Sequence, residues 1–368
     1  MRERQSNIEL LRIVSMFFIV LEHILIMGTG FFSSPIESQL YVANMIIGFT
    51  YIGVNCFILI TGYFGAEFSW RRLLSLYLIC GFYELVGFIV TYVHGDVEWS
   101  SSALSYMLFP LSHSNNWFIR CYVILLLLLP VLNAGLYRLD KRQYLYALFA
   151  LTVLNLYFGW FHKQLNFNGD GYNASQMIYL YAIGRYLGRF VDWEHVRACK
   201  MHLFIGWLSC AILWGIVQNI FDCWYEIPHW NGWAYNNPIV LLASIAFFSL
   251  FACLQIRPFQ SINWIGGTML GAFLIHMNRY LGGYLYDWVR DVVYHPILAQ
   301  SVTLQTLMLI ALAIGIILIS VLFDIPRLLV HRWILDKYDA FSHTHTHTWA
   351  LELKTIVLSR FECIPLIA

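Results

Sequence analysis

Charged residues are scarce in this chain of 368 residues, since Asp, Glu, Lys and Arg make up 12% of it while hydrophobic residues make up 60%. A water-exposed surface needs about twice that share of charge, so a soluble protein is excluded. No long polar segment is present, which excludes disorder. The formal net charge of +1 provides no overall field that would attract nucleic acid. We therefore predict an all-α integral membrane protein that does not bind nucleic acid.

Several catalytic and metal-binding motifs are missing from the sequence. It has no GxGxxG or P-loop motif, and so no standard phosphate-binding fold. It also has no GxSxG nucleophile elbow. The eight cysteines show no CxxC spacing, which favours neither a disulfide framework nor a zinc site. We predict no metal site.

Long apolar runs fill most of the chain. A membrane-spanning helix needs about 20 mostly apolar residues, and ten such stretches are separated by polar residues, glycine, proline or asparagine. They are centred near Ser15, Tyr51, Phe82, Leu125, Thr152, Ala182, Ala211, Ala246, Gly271 and Ile314.

The basic residues alternate between two sets of loops, which bears on orientation because Lys and Arg accumulate on the cytoplasmic side of membrane proteins. One set of loops is poor in basic residues and contains only Lys163 and Arg290. This asymmetry predicts a polytopic protein of the cell membrane with about ten transmembrane helices and both termini in the cytoplasm. The other set, which is rich in basic residues and is predicted to be cytoplasmic, contains Arg2, Arg4, Arg71, Arg72, Arg138, Lys141, Arg142, Arg189, Arg197, Lys200, Arg257, Arg327, Arg332 and Lys337.

We predict two regions along the chain. Residues 1–338 form a ten-helix membrane domain, and residues 339–368 form a C-terminal tail of unknown role. The tail contains the alternating His343, His345 and His347, which would suit either metal binding or, more commonly, a dispensable tail.

The first apolar stretch contains two ionisable residues on one face. Charges at bilayer depth cost about 2.5 to 3.5 kcal/mol each, so each one is a candidate for a functional site. Arg12 and His23 are eleven residues apart, which places them on the same helix face about 16 Å apart along the axis. Glu9, one turn before Arg12, would pair with it. We predict Arg12 at the cytoplasmic end and His23 near mid-membrane; the alternative is an anchoring arginine and an unrelated core histidine.

Two further titratable residues fall near the predicted level of His23. Glu84 and His276 are each about twelve residues from the cytoplasmic end of their helix, which is a depth of about 18 Å. Glu22 adjoins His23 but points about 100° away from it, so it would meet another helix.

Other charged and aromatic residues flank these positions. Arg71 and Arg72 would either bind the phosphates of a nucleotide-like donor through their planar guanidinium groups or only fix the topology. Arg120 and Arg279 would either extend the polar zone towards an acceptor or form structural ion pairs. Aromatic residues of the outer loops would either stack on sugar rings or form an interfacial belt: Trp99, Trp117, Trp224, Trp230 and Trp233.

Four stretches carry a resemblance to a known family. They are NIELLRIVSMFFIVLEH, which includes Arg12 and His23, NCFILITGYF followed by Arg71 and Arg72, NNWFIRCYVILLLLLPVLN and INWIGGTMLGAFLIHMNRY. In this order, over about residues 7–330, they resemble acyltransferase family 3, membrane-embedded acyltransferases that modify bacterial surface sugars among other substrates. Glu22 and Arg120 depart from the family pattern.

The resemblance implies transfer of an acyl group, usually acetyl, to a hydroxyl of a glycan or lipid-linked sugar. Acetyl-CoA, or another acyl-CoA, would be the cosubstrate, with no bound cofactor. The resemblance also implies that the histidine of the first helix is catalytic and that the neighbouring arginines lie near the donor.

Imidazole suits this chemistry because its unperturbed pKa of about 6.5 lies near working pH. We expect His23 to take the hydroxyl proton, with Glu84 or Glu22 keeping it basic and fixing its tautomer; an acyl-histidine intermediate is the alternative. A transporter or flippase for a lipid-linked glycan or small anion is the competing function, and a sensor or structural partner in polysaccharide synthesis is a third. The predicted catalytic residues are His23, Glu84 and His276, the donor-binding residues Arg12, Arg71, Arg72 and Glu9, and the acceptor-side residues Arg120, Arg279 and Trp117.

Overall fold

The computed structural model of the protein describes residues 4–29, 31–33, 37–112, 116–162, 168–225, 232–295 and 300–361. Within these ranges the chain is helical and contains no β-strand. Arg2, Lys163 and Trp230, which enter the sequence predictions, lie outside the described residues. The predicted all-α class is confirmed.

Fourteen α-helices occur in the described ranges. π-helical turns continue α1, α7, α10 and α13 at their C-terminal ends, over Ile24–Gly28, Leu154–Phe161, Ile220–Trp224 and Val289–Tyr294. The helices are α1 (Ser6–His23), α2 (Glu37–Thr50), α3 (Gly53–Tyr63), α4 (Trp70–His94), α5 (Ser101–Leu108), α6 (Trp117–Arg138), α7 (Lys141–Val153), α8 (Ala174–Phe190), α9 (Trp193–Arg197), α10 (Lys200–Asn219), α11 (Pro238–Ala252), α12 (Gln260–His276), α13 (Gly282–Trp288) and α14 (Val302–Phe361).

Among the described residues, seven helical segments are long and apolar enough to cross a membrane. The helices at the other three predicted centres are shorter, with 17 residues in α8, 15 in α11 and 17 in α12. The count of ten spans and the orientation of the termini therefore stay predictions. The seven segments are Ser6–Gly28, Ser38–Tyr63, Trp70–His94, Trp117–Arg138, Lys141–Phe161, Lys200–Asp222 and Val302–Ala340.

Side-chain caps limit the length of two of the shorter helices. Asn173 accepts hydrogen bonds from the backbone N–H groups of Ser175 and Gln176 at the start of α8. At the start of α11, the Asn237 side chain accepts a hydrogen bond from the backbone N–H group of Ile239, which follows the first residue of the helix, Pro238. An N-cap side chain fixes the first turn of a helix, so α8 and α11 begin directly after Asn173 and Asn237 and are shorter than the predicted spans.

The second predicted span consists of two helices. α2 ends at Thr50 and α3 begins at Gly53, so the break falls at Tyr51, the predicted centre of the span. A Cβ at Gly53 would lie 2.8 Å from the Ser15 carbonyl oxygen of α1. The missing side chain therefore lets α3 approach α1 closely.

Glycines also pack α3 against α8. A Cβ at Gly62 of α3 would overlap the Tyr181 carbonyl oxygen, and a Cβ at Gly184 of α8 would overlap the Leu59 carbonyl oxygen. Small residues at a helix contact let the two backbones approach, which is a common way to associate helices in a membrane. α3 is thereby held in the interior, beside both α1 and α8.

α1 and α12 lie side by side and run in the same direction. At their first turns, Ser6 Oγ donates a hydrogen bond to Asn263 Oδ1 at 2.8 Å. At their last residues, His23 and His276 are in contact. The two helices are therefore in contact from their first turns to their last residues, and this arrangement brings the two histidines together.

The last helix runs through residue 339, so the predicted domain boundary lies within α14. Asp324 and Arg327 of α14 form a buried ion pair, and the hydroxyl of Tyr83 on α4 donates a hydrogen bond to Asp324. Further along α14, Asp339 pairs with Arg71 at the start of α4 at 2.9 Å. These contacts fix the last helix against α4.

Candidate active site

His23 and His276 form a pair at the ends of α1 and α12. His23 Nδ1 lies 3.0 Å from His276 Nε2, and the ring centroids are 5.2 Å apart. His276 is fully buried, whereas His23 is half-buried. The other ring nitrogen of His276, Nδ1, lies 2.7 Å from the Ala272 carbonyl oxygen. The structure thus brings together two of the three predicted catalytic residues.

A cavity of about 250 Å³ lies between α1, α3, α4, α6 and α12. Its charged lining consists of the guanidinium groups of Arg4 and Arg12, which lie near the first turns of α1. The cavity therefore has a cationic end and a mainly apolar body. The remaining lining residues are Met16, Ile19, Val54, Phe57, Thr61, Leu76, Phe118, Ile119, Tyr122, Gly266, Gly267, Leu270 and Phe273.

Hydrogen bonds hold both guanidinium groups at the cationic end. Arg12 Nη1 donates to Glu9 Oε2 at 2.7 Å, so the predicted pairing is present. Arg4 Nη1 donates to the Asn263 carbonyl oxygen at 2.6 Å. A Cβ at Gly267 would lie 2.8 Å from Arg4 Nη1, so this glycine makes room for the guanidinium group.

The apolar body of the cavity leads towards the histidine pair. Ile19 precedes His23 by four residues and Phe273 precedes His276 by three, and both Ile19 and Phe273 line the cavity. The Phe273 ring stands edge-on against the His276 ring with centroids 5.7 Å apart. Since α1 rises about 16 Å from Arg12 to His23, the cavity extends from the guanidinium groups to one helical turn short of the imidazoles.

Arg71 and Arg72 lie at the start of α4 and do not line this cavity. Arg71 Nε donates to the Asp339 carboxylate at 2.9 and 3.0 Å, and Arg72 donates to the Glu67 carbonyl oxygen. Both arginines are exposed. Leu76, one turn after Arg72, lines the cavity, so the two arginines lie at the same end of α4 as the cationic end of the cavity.

Glu84 belongs to a separate cluster with Arg279. The carboxylate lies 3.8 Å from the Arg279 Nε, and the guanidinium group lies 3.6 Å from the centre of the Tyr106 ring. The structure thus pairs two predicted site residues with each other. Glu84 does not fix the tautomer of His23 as expected, since His276 is the neighbour of His23 Nδ1. The reason is that α12 packs along α1 and presents its own last residue to His23.

At the end of α1, Glu22 faces a cluster of aromatic rings. Tyr51 stacks on Tyr235 with centroids 4.6 Å apart, and its hydroxyl lies 2.7 Å from the Tyr172 hydroxyl. Trp117, a predicted acceptor-side residue, packs against Tyr172 with centroids 4.8 Å apart. Burial raises the pKa of Tyr172 to about 12, and the nearby Glu22 carboxylate adds to this rise. Glu22 is 3% exposed and accepts no hydrogen bond within the described part of the chain.

A family model for an acyltransferase domain matches residues 5–325, a range that contains the cavity and the histidine pair. The chain belongs to acyltransferase family 3. No curated protein and no solved structure matched it. The resemblance of the four sequence stretches is therefore confirmed, and membership in this family supports a membrane acyltransferase over a transporter or flippase.

Several candidates lie apart from the site of this acyltransferase. Arg120 is exposed on α6, and Trp99 and Trp224 are 61% and 74% exposed. Trp233, by contrast, packs edge-on against Phe32 with centroids 4.9 Å apart, and its centroid lies 6.2 Å from that of Tyr51 in the aromatic cluster. The structure therefore brings neither Arg120 nor the two exposed tryptophans to the cavity or to the histidine pair.

The sequence predictions for this acyltransferase missed four residues around the site. Arg4 was counted only as a marker of orientation, although its position just before α1 places it beside Arg12 in the cavity lining. Tyr51, Tyr172 and Tyr235 come from three separate segments. No spacing in the sequence links these tyrosines, so only the folded chain reveals their cluster.

Proposed function

We propose that this acyltransferase moves an acyl group, most specifically acetyl, from acyl-CoA to a hydroxyl of a cell-surface or exopolysaccharide sugar. His23 is the catalytic residue of this proposal. The observation that carries it is the cavity. The guanidinium groups of Arg4 and Arg12 lie at one end of this cavity, and the His23–His276 pair lies one helical turn beyond its other end. Family membership supports acyl transfer in general.

The cationic end of the cavity suits the phosphates of acyl-CoA. A guanidinium group binds phosphate through two parallel N–H···O bonds. Glu9 holds Arg12 through Nη1 only, which limits its rotamers and leaves its other N–H groups for a ligand. Arg71 and Arg72 would add positive charge near the same end, where the nucleotide stays outside the membrane.

The apolar body of the cavity suits the pantetheine arm of the donor. Pockets for small molecules usually enclose about 300 to 1,000 Å³, so a cavity of about 250 Å³ is too small for the whole donor and suits its slender arm. The arm would extend along the rise of about 16 Å that separates Arg12 from His23. Its thioester would then lie beside the imidazole.

His23 would act on the acceptor hydroxyl as a general base. Its imidazole takes the hydroxyl proton while the hydroxyl oxygen attacks the thioester carbonyl carbon. The C–S bond breaks, and the imidazolium returns the proton to the departing thiolate, so the products are an ester and CoA–SH. In the covalent alternative, the imidazole nitrogen attacks the thioester carbonyl carbon, the C–S bond breaks and CoA leaves as the thiolate. The sugar hydroxyl then attacks the acyl-imidazole, the C–N bond breaks, and the hydroxyl proton passes through the released imidazole to the thiolate.

The acceptor would approach from the end of α1 that is opposite to the donor. There the Glu22 carboxyl group would hydrogen-bond to sugar hydroxyls, and the face of Trp117 would stack on a sugar ring. The Glu84–Arg279 pair lies in the same direction, since Arg279 follows His276 by three residues. The alternation of basic loops supports a cell-membrane location with both termini in the cytoplasm.

The test uses purified protein in lipid nanodiscs, radiolabelled acetyl-CoA and a panel of glycan acceptors. We expect label in the glycan fraction with the unmodified protein and none with His23→Ala, while the expression and membrane insertion of the variant stay unchanged. His331→Ala is the matched control, since His331 hydrogen-bonds to Ser75 of α4 and does not line the cavity. Transfer retained by His23→Ala would remove His23 from the mechanism.

A further inference from the structure

His276 is a buried imidazole whose two ring nitrogens have fixed neighbours. Its Nδ1 lies 2.7 Å from the Ala272 carbonyl oxygen and its Nε2 lies 3.0 Å from His23 Nδ1. A carbonyl oxygen accepts hydrogen bonds and cannot donate them. His276 Nδ1 must therefore carry the proton of that hydrogen bond.

Both rings of the pair are neutral in the resting protein. Neither His23 nor His276 has a carboxylate within ion-pair distance in the described part of the chain, and a buried charge without a partner is strongly disfavoured. A neutral imidazole carries one ring proton. Because that proton of His276 is on Nδ1, its Nε2 accepts a hydrogen bond, and the donor is His23 Nδ1–H.

This hydrogen-bond chain fixes the remaining nitrogen of His23. If His23 carries its single proton on Nδ1, its Nε2 holds a free lone pair. We propose that His276 is a positioning residue that holds His23 in the Nδ1–H tautomer, so that Nε2 is the atom that receives the proton of the acceptor hydroxyl. This inference rests on the proposed function of His23 as the base.

The pair also accommodates the charge that forms during transfer. When His23 Nε2 takes the hydroxyl proton, the Nδ1–H bond to His276 persists and becomes stronger because its donor is now charged. If the Nδ1 proton moves on to His276, the hydrogen bond from His276 Nδ1 to Ala272 persists as well. A neutral imidazole thus takes the orienting role that a buried carboxylate has in Ser-His-Asp triads.

Two substitutions separate this role from simple packing. In His276→Gln, the amide oxygen replaces Nε2 and accepts the hydrogen bond from His23, whereas His276→Phe fills the space with no acceptor. We expect His276→Phe to lower kcat by about 10²-fold, the usual scale for a misplaced catalytic group, with the KM for acetyl-CoA unchanged. His276→Gln should lower kcat much less than His276→Phe does, because its amide oxygen keeps an acceptor for the His23 Nδ1–H group. His331→Phe, the control, should leave kcat unchanged. Equal losses in the Gln and Phe variants would overturn the inference.

The tautomer itself is measured by ¹⁵N NMR on histidine-labelled protein in nanodiscs, with the His23 signals assigned by their loss in His23→Gln. We expect a protonated Nδ1 and an unprotonated Nε2 on His23 in the unmodified protein, and we expect His276→Phe to lose this preference for the Nδ1–H tautomer. An unprotonated Nδ1 and a protonated Nε2 on His23 would overturn the role of His276 even if transfer depends on His23. Retained transfer in His23→Ala would instead refute the proposed function, so the two failures are distinguishable.

Discussion

Arg12 provides a quantitative test of the donor end of the cavity. A hydrogen bond to a charged group contributes about 1.5 to 3 kcal/mol, which corresponds to about a 10- to 150-fold change in affinity. We therefore expect Arg12→Ala to raise the KM for acetyl-CoA by about that factor. The maximal rate should change little, because Arg12 lies about 16 Å from His23 along α1.

The assay compares acetyl-CoA with S-acetylpantetheine, which carries the thioester and the arm but no phosphate. If Arg12 binds phosphate, its removal should affect only the first donor. Removing Arg12 also leaves Glu9, which is 4% exposed, without its ion-pair partner. The double variant Arg12→Ala/Glu9→Gln removes that buried charge, so it should restore any lost stability but leave the KM for acetyl-CoA raised. Equal effects on both donors would refute phosphate binding by Arg12.

Three further predictions concern the surroundings of the site. Changing Arg71 and Arg72 together to Ala should raise the acetyl-CoA concentration required for half-maximal transfer more than it lowers the maximal rate. Gly184→Leu should lower the free energy of unfolding in detergent by about 1 to 3 kcal/mol, since a Cβ there would overlap the Leu59 carbonyl oxygen. A membrane-impermeant maleimide should label the exposed Cys199 only in permeabilised cells, because its loop is predicted to be cytoplasmic.

Each of these predictions has a contrasting outcome. Unchanged donor dependence in the double arginine variant would favour a role in topology alone. Gly206→Leu is the control for Gly184, because no atom outside its own helix lies within 4 Å of a Cβ at Gly206; equal destabilisation by both variants would contradict the packing argument. In a chain whose other cysteines are serine, Ser102→Cys should be labelled in intact cells, and labelling of Cys199 there would reverse the predicted orientation.

The features that follow from a single helix were predictable from the sequence. Helical periodicity places Glu9 beside Arg12, and the structure contains that pair at 2.7 Å. The rise per residue places His23 and His276 at similar depths, and the two rings are in contact. Family membership was likewise visible in the order of four sequence stretches.

The features that depend on how helices rotate and end were not predictable. Glu84 and His276 have similar predicted depths, and only the packing of α12 along α1 decides that His276 contacts His23. Apolar content gives no sign of the break at Tyr51 or of the cap at Asn237, which interrupt or shorten the predicted spans. The pairing of Arg71 with Asp339 joins residues 268 positions apart, so no local pattern reveals it.

The most direct measurement is an experimental structure of the protein in nanodiscs with a non-transferable thioether analogue of acetyl-CoA. We expect its phosphates against the guanidinium groups of Arg4 and Arg12, its pantetheine arm in the cavity, and its carbonyl carbon beside His23 Nε2. An analogue bound at another surface, with the cavity between Arg12 and His23 left empty, would contradict the proposed path of the donor.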